Sequence, residues 1–451
     1  MNSKAISLAI ASVLAAPAAY AQSSNVQLYG RAVLGIDSYG AEGAANGATD
    51  YQNRIRVFDN SSRVGLRGTE DLGNGLKAIF QIETGVAVDS GSSQGSGGAA
   101  NSSKGTWASR DSFVGLDSGF GRLTFGRQSI YWANGELAQF SSNYINTEIP
   151  WTNGTQLGRI TRPTAGAGSV ARTSNTVQYT TPTFAGFNAT LSYSPNAQEN
   201  VQHNSCVPAL NTTLNPATLS GTQSASVSGL ATVNSSNVTA TGTACSQGSG
   251  SDADGQIWGA TVRGRFGNFH GQFDYVQNEN NSAIAGVNGL GVPIAAAAQA
   301  EFTGYKAGIG WKYLPGANVS FIWVRSESNN ALGVRRGNEV TQNGYTVNWE
   351  HTFGNVQVLA QYGWLDSMKG CDGTETVSCG DTKATAYMVG ARYLLSKRTW
   401  IFASYNLVDN QQNQFADYTG DSYTSVAGNG PVLTPYGADP EVWALGVFHA
   451  F

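Results

Sequence analysis

The chain has 451 residues with 26 basic and 30 acidic side chains, a formal net charge of -4, and charged residues make up only 12% of it. That balance leaves no electrostatic footprint for nucleic acid, and past the amino-terminal segment no apolar run approaches the roughly eighteen residues of a membrane helix, which excludes a helical membrane protein. The 56 glycines, 19 tyrosines, 18 phenylalanines and 10 tryptophans instead describe many strands and turns.

The first element, MNSKAISLAIASVLAAPAAYA, combines Lys4, an apolar stretch from Ala5 to Ala16 and the small-x-small sequence Ala19-Tyr20-Ala21. It predicts a cleaved secretory signal over residues 1–21. Residues 22–451 then form one exported unit, because no linker divides them into differently composed halves. Strands follow. Val26, Leu28, Ala32, Leu34 and Ile36 alternate with Gln27, Tyr29 and Arg31, and Phe187, Ala189, Leu191 and Tyr193 alternate with Asn188, Thr190 and Ser192. The pattern returns with Phe269, Gly271, Phe273 and Tyr275 against His270, Gln272 and Asp274, and with Val356, Val358, Ala360 and Tyr362 against Gln357 and Gln361. A period of two gives each segment one apolar and one polar face.

Sixteen such strands are predicted, near 25–37, 54–68, 75–87, 106–117, 121–127, 170–181, 186–195, 254–266, 269–278, 301–313, 318–328, 340–352, 355–367, 382–395, 398–409 and 440–451. Short turns such as DSGFG, RFGN, LPGAN and TFGN interleave with long polar loops. A soluble antiparallel sandwich also alternates its faces, but an even strand number, alternating loop lengths and a secretory signal together predict a transmembrane β-barrel. The closing WALGVFHAF agrees with it. Trp443, Leu445, Val447 and Phe451 keep one apolar row up to the terminus. Pairing the last strand with the first holds that row in place against lipid.

The stretches SRVGLRGTEDLGNGLKAIFQIETG (62–85), SRDSFVGLDSGFGRLTFGRQ (109–128) and RTSNTVQYTTPTFAGFNATLSYS (172–194), with the phenylalanine-ended last strand, resemble the trimeric general porins of Gram-negative outer membranes, especially the betaproteobacterial branch. The resemblance implies an all-β, 16-stranded antiparallel transmembrane β-barrel with an inward-folded third loop and a water-filled pore. It implies a homotrimer, inserted by the barrel assembly machinery among outer-membrane lipid and lipopolysaccharide, through which small hydrophilic solutes and anions diffuse passively. Residues 128–168 suit the inward loop, since SIYWANGELAQFSSNYINTEIPWT carries apolar anchors that an ordinary surface loop lacks.

In the family an arginine cluster on the barrel wall faces carboxylates of that loop. The matching positions here are Arg63 in SRVGL, Arg110 in SRDSFVGL and Arg172 in RTSNTVQY, with Glu83 in FQIETG and the loop carboxylates Glu136 and Glu148 opposite. Alternation also puts Lys77, Arg122, Arg172, Arg263, Lys306 and Arg392 on polar faces, with Arg63 and Arg67 sharing a side. Lys77 joins the expected constriction. One departure stands at the end of the chain, where the family often has arginines and this sequence has Phe448 and Ala450.

Catalysis has little support. GSSQG at 91–95 matches a nucleophile-elbow pattern but lies in a Ser/Gly stretch without the strand-turn-helix context, and the four histidines have no partners at metal-ligand spacing. No enzyme activity, metal, cofactor or nucleic-acid partner is expected. The four cysteines fall in the long loops, and in an oxidising compartment the local pairing is Cys206 with Cys245 and Cys371 with Cys379, cross-paired or reduced thiols being the alternative. The leading function is a diffusion porin favouring anions. The alternative is a solute-selective porin or a surface receptor whose external loops bind a ligand.

Overall fold

The computed structural model describes residues 24–45, 50–60, 62–89, 107–129, 173–195, 256–280, 300–329, 339–371, 379–414, 416 and 436–451. The expected signal segment 1–21, the third loop with Glu136 and Glu148, Arg172, Cys206 and Cys245 lie outside these residues.

The strands are β1 (Ser24–Glu42), β2 (Tyr51–Asp59), β3 (Arg63–Gly73), β4 (Leu76–Gly85), β5 (Ser112–Ser118) and β6 (Gly121–Gln128). Then come β7 (Thr173–Thr180), β8 (Phe187–Pro195), β9 (Gln256–Phe266), β10 (Phe269–Asn280), β11 (Ala300–Leu314) and β12 (Ala317–Asn329). The series ends with β13 (Glu339–Phe353), β14 (Val356–Leu365), β15 (Ala384–Leu394), β16 (Thr399–Asn410) and β17 (Asp439–Ala450). Among the described residues these 17 segments make one antiparallel sheet that closes where β17 pairs with β1.

The barrel nevertheless has sixteen strands. The first half of β1 pairs with β3 (Arg31 opposite Arg63) and the second half with β2 (Leu34 opposite Asp59), so β2 and β3 are one strand interrupted at 60–62. The sequence reads this as an unbroken strand over 54–68. The interruption holds because its polar groups are satisfied across the sheet. Ser62 Oγ accepts from Val33 N at 2.9 Å, Asn60 N donates to Val33 O at 2.9 Å, and Asp59 Oδ1 accepts from Ser62 N at 3.0 Å. The fourth expected strand, 106–117, likewise begins only at Ser112. Ser109 Oγ takes the Gly85 N–H at 3.0 Å, a bond that a continuing ladder would have supplied.

Burial runs opposite to that of a water-soluble sheet. On β17 Trp443 and Leu445 are 59% and 61% exposed on the outer surface, whereas the inward Val442 and Phe448 are 0% and 4% exposed. Val26, Leu28, Ile55, Val57, Val114, Leu191 and Val389 continue the exposed apolar belt round the barrel. An apolar surface of that extent needs lipid rather than water against it. The chain terminus does not fray, because Phe451 exchanges both backbone bonds with Gly30, at 3.1 and 3.2 Å. The inner wall is mostly polar, with Ser320, Asn348, Gln361, Ser404 and Asn406 on it. One sector departs from the alternation reading. Val33, Phe58, Met388, Trp400, Phe402 and Phe448 form an apolar cluster on the inward side of β1, β2 and β15 to β17.

Candidate pore constriction

Residues directly opposite in an antiparallel pair share a face, and this places the expected site residues. Glu83 of β4 stands opposite Gly65 of β3, which stands opposite Tyr29 of β1, all on the inner wall. Gly65 is required there, since a Cβ on it would come within 2.6 Å of the tyrosine ring. Tyr29 therefore crosses β3 and donates its hydroxyl to Glu83 Oε2 at 3.1 Å.

Two arginines converge on the other carboxylate oxygen. Arg110 Nε lies 2.6 Å from Glu83 Oε1, and the Arg110 backbone N–H donates to the Glu83 carbonyl at 3.0 Å. Arg63 Nη1 is 3.7 Å from the same Oε1. Arg110 does not sit on a strand at all. It is delivered by the bent segment before β5, whose Ser112 Oγ accepts from Glu83 N at 3.0 Å. The Glu83 side chain is 7% exposed, those of Arg110 and Arg63 15% and 28%. Two guanidinium groups against one carboxylate leave an excess of positive charge on a wall where the low dielectric strengthens its reach.

Lys77, expected in the constriction, stands apart from this cluster. It shares the inward face with Glu83, but six residues of extended chain put it about 20 Å away. There, at the short-turn rim, it stands opposite Asp71 and Asp117. Arg122 occupies the same rim, bonded to Asp117 at 2.7 and 3.1 Å. With Arg263, Gln81, Thr124 and Gln178 it lines a polar recess of about 310 Å³. Lys306 stands opposite Asp274, both buried, with Thr261 Oγ1 donating to Asp274 Oδ1 at 2.6 Å.

The inner wall also holds arginines that the sequence reading left out of the constriction. Arg31 is directly opposite Arg63. Arg56 forms an ion pair with the buried Asp37, 2.9 Å from Nε to Oδ1, and Arg54 lies over the Tyr39 ring at 5.8 Å. Arg67 lies over Tyr29 at 5.0 Å and donates to Gln27 Oε1 at 2.9 Å. The signal was available in RIRVF, where Arg54 and Arg56 alternate with the lipid-facing Ile55 and Val57.

Beyond the barrel wall, Cys371 and Cys379 form a disulfide in the loop between β14 and β15, with Cα atoms 5.7 Å apart. Among the described residues no group of His, Cys, Asp and Glu is arranged to hold a metal ion.

A family model described as Gram-negative porin matches residues 7–413. Major outer membrane protein P.IB of Neisseria gonorrhoeae is 31% identical over 176 residues, covering 39% of this chain and 44% of that protein. An outer membrane porin protein of Bordetella pertussis is 33% identical over 204 residues, 43% of this chain and 48% of the other. The chain thus spans just under half the length of these curated relatives. Among solved structures, the anion-selective porin from Comamonas acidovorans superposes with a TM-score of 0.63 at 20% identity, covering 95% of this chain and 100% of that one. The trimer form of OmpT of Vibrio cholerae gives 0.56 at 13% identity, covering 95% and 100%. At such identities the structural likeness establishes the fold.

Proposed function

The chain belongs to the Gram-negative porin family, and on that premise we propose that it forms a water-filled outer-membrane channel for passive diffusion of small hydrophilic solutes, with anions favoured. It is a channel and carries out no catalysis. The observation behind the anion preference is the imbalance on the inward faces of β1 to β3. Arg31, Arg54, Arg56, Arg63 and Arg67 occupy them, against Asp37 and, at the rim, Asp71.

The net charge of -4 by itself argues for cations. Local charge outweighs it, because carboxylates farther from the path than a Debye length of about 10 Å are screened at moderate salt. A cation on the path is opposed by the guanidinium field and an anion is drawn in. In this reading the third loop narrows the throat, and Arg172, Glu136 and Glu148 complete it around Arg63, Arg110 and Glu83. A homotrimer is part of the proposal. It accords with the trimer form of the Vibrio neighbour, and the name of the Comamonas neighbour accords with the anion preference.

The test is the reversal potential of the reconstituted protein across a potassium chloride gradient. Wild type is expected to favour chloride, and replacing Arg63 and Arg110 together by glutamine to shift the potential toward cation preference while the oligomer persists. A wild-type channel selective for potassium would overturn the reading.

A further inference from the structure

Between the Glu83 cluster and the short-turn rim, the inner wall of β4 to β9 holds the polar recess of about 310 Å³. Gln81 of β4 lines it two residues from Glu83 on the same face, so the recess begins about 7 Å from the throat. Register brings the rest of the lining together. Gln81 is opposite Phe113 of β5, Arg122 of β6 is opposite Thr180 of β7, and Thr180 is opposite Thr190 of β8. The volume is at the small end of cavities that hold a ligand.

The wall does not exhaust the hydrogen-bonding capacity of this lining. Gln178 donates Nε2 to Ser129 O at 3.3 Å and to Ser192 Oγ at 3.0 Å, which keeps its Oε1 as an acceptor. Gln81 donates Nε2 to Asp111 O at 3.0 Å and likewise keeps Oε1. Thr180 and Thr190 bond to each other at 3.0 Å, a contact that uses one of their two hydroxyl hydrogens and leaves the other as a donor. Arg122 engages Asp117 through Nε and Nη2 and retains Nη1. Donors and acceptors from four strands thus border one cavity, beside the apolar ring of Phe113. Charge is balanced there as well. Arg122 is tied to Asp117, and among the described lining residues Arg263 is matched in number by Asp111.

An inorganic anion offers only acceptors and would bring them against two glutamine oxygens, with no net positive charge to compensate. A hydroxyl is donor and acceptor at once and can satisfy both kinds of partner. We propose that the recess is a subsite for monosaccharide-sized polyols, which set hydroxyls on Gln81, Gln178, Arg122 and the Thr180–Thr190 pair and a C–H face on Phe113. The proposal deepens the channel reading and rests on it. Uncharged solutes, which the arginine field of β1 to β3 does not draw, gain a weak binding point beside the throat, and a channel that binds weakly still releases what it binds.

The test is saturation-transfer difference NMR on the purified protein in a detergent without sugar headgroups. The probes are D-glucose and, as a control of similar mass without hydroxyls, triethylene glycol dimethyl ether. Wild type should give a glucose signal that saturates in the millimolar range and none from the ether. Replacing Thr180 and Thr190 together by valine removes both partners of one bond with shape preserved, a change that is nearly neutral for folding. It should weaken glucose binding about fivefold, the worth of one neutral hydrogen bond, with chloride preference unchanged. Where that variant fails to assemble, Gln81→Met and the wild-type curve still decide the matter. Absence of a saturable glucose signal in wild type, equal binding by the assembled valine variant, or displacement of glucose by sodium sulfate overturns the subsite. A reconstituted wild type that conducts no potassium chloride overturns the channel reading instead, so the two failures are distinguishable.

Discussion

Replacing Glu83 by glutamine removes one negative charge from a cluster in which Arg110 lies 2.6 Å and Arg63 3.7 Å from the carboxylate. The amide still accepts a hydrogen bond, so the fold is disturbed less than by alanine, while the wall gains one unit of positive charge. An ion passing about 7 Å from that charge feels about 0.6 kcal/mol at the dielectric of water and about 2.4 kcal/mol at the lower effective value near protein surfaces. Screening at 0.1 M salt roughly halves both figures. Anion and cation respond with opposite sign, so the difference between them is about 0.6 to 2.4 kcal/mol. The chloride-to-potassium permeability ratio should then rise at least about threefold. The assay is the reversal potential of heat-checked, reconstituted oligomers across a potassium chloride gradient. An unchanged ratio in properly assembled Glu83→Gln channels would refute the placement of this cluster beside the ion path.

Ser62→Ala removes the acceptor of the buried Val33 N–H at the strand interruption, an unsatisfied group that costs about 1–3 kcal/mol. The variant should lose its heat-resistant form at a lower temperature on gels than wild type, with conductance unchanged. Deleting Phe451 removes both backbone bonds to Gly30 at the closing seam. Its level in isolated outer membranes is expected to fall, and wild-type levels would count against a role in closure. Replacing Cys371 and Cys379 by serine opens the clip between β14 and β15. Limited proteolysis should cut that loop faster, with single-channel conductance retained, since the disulfide stands outside the barrel wall.

Parity alone made much of this protein legible. A strand residue has only two faces to choose from, so alternation around Trp443, Leu445 and Val447 was enough to identify a lipid-facing row, and Arg63 and Arg67 could be set on one side of their strand. Repetition of that pattern sixteen times, with short and long connections in turn, carried the barrel. Parity does not report height along the pore. Lys77 and Glu83 share a face and yet sit about 20 Å apart, because each residue of extended chain advances about 3.3 Å.

Other features depended on partners that no local stretch contains. The interruption at 60–62 is stable only because Val33, on another strand, uses both its backbone groups to satisfy it. Arg110 reaches Glu83 from outside any strand, through a backbone bond between segments 27 residues apart. Tyr29 reaches the same carboxylate because a glycine lies between them in register. Arg31 and Phe448 meet only when the last strand closes on the first. Within an unbroken strand the sequence by itself determined which residues share a side of the wall, since that follows from covalent geometry. Which residues stand at the same level and touch was decided by strand register and closure, and those are properties of the whole sheet.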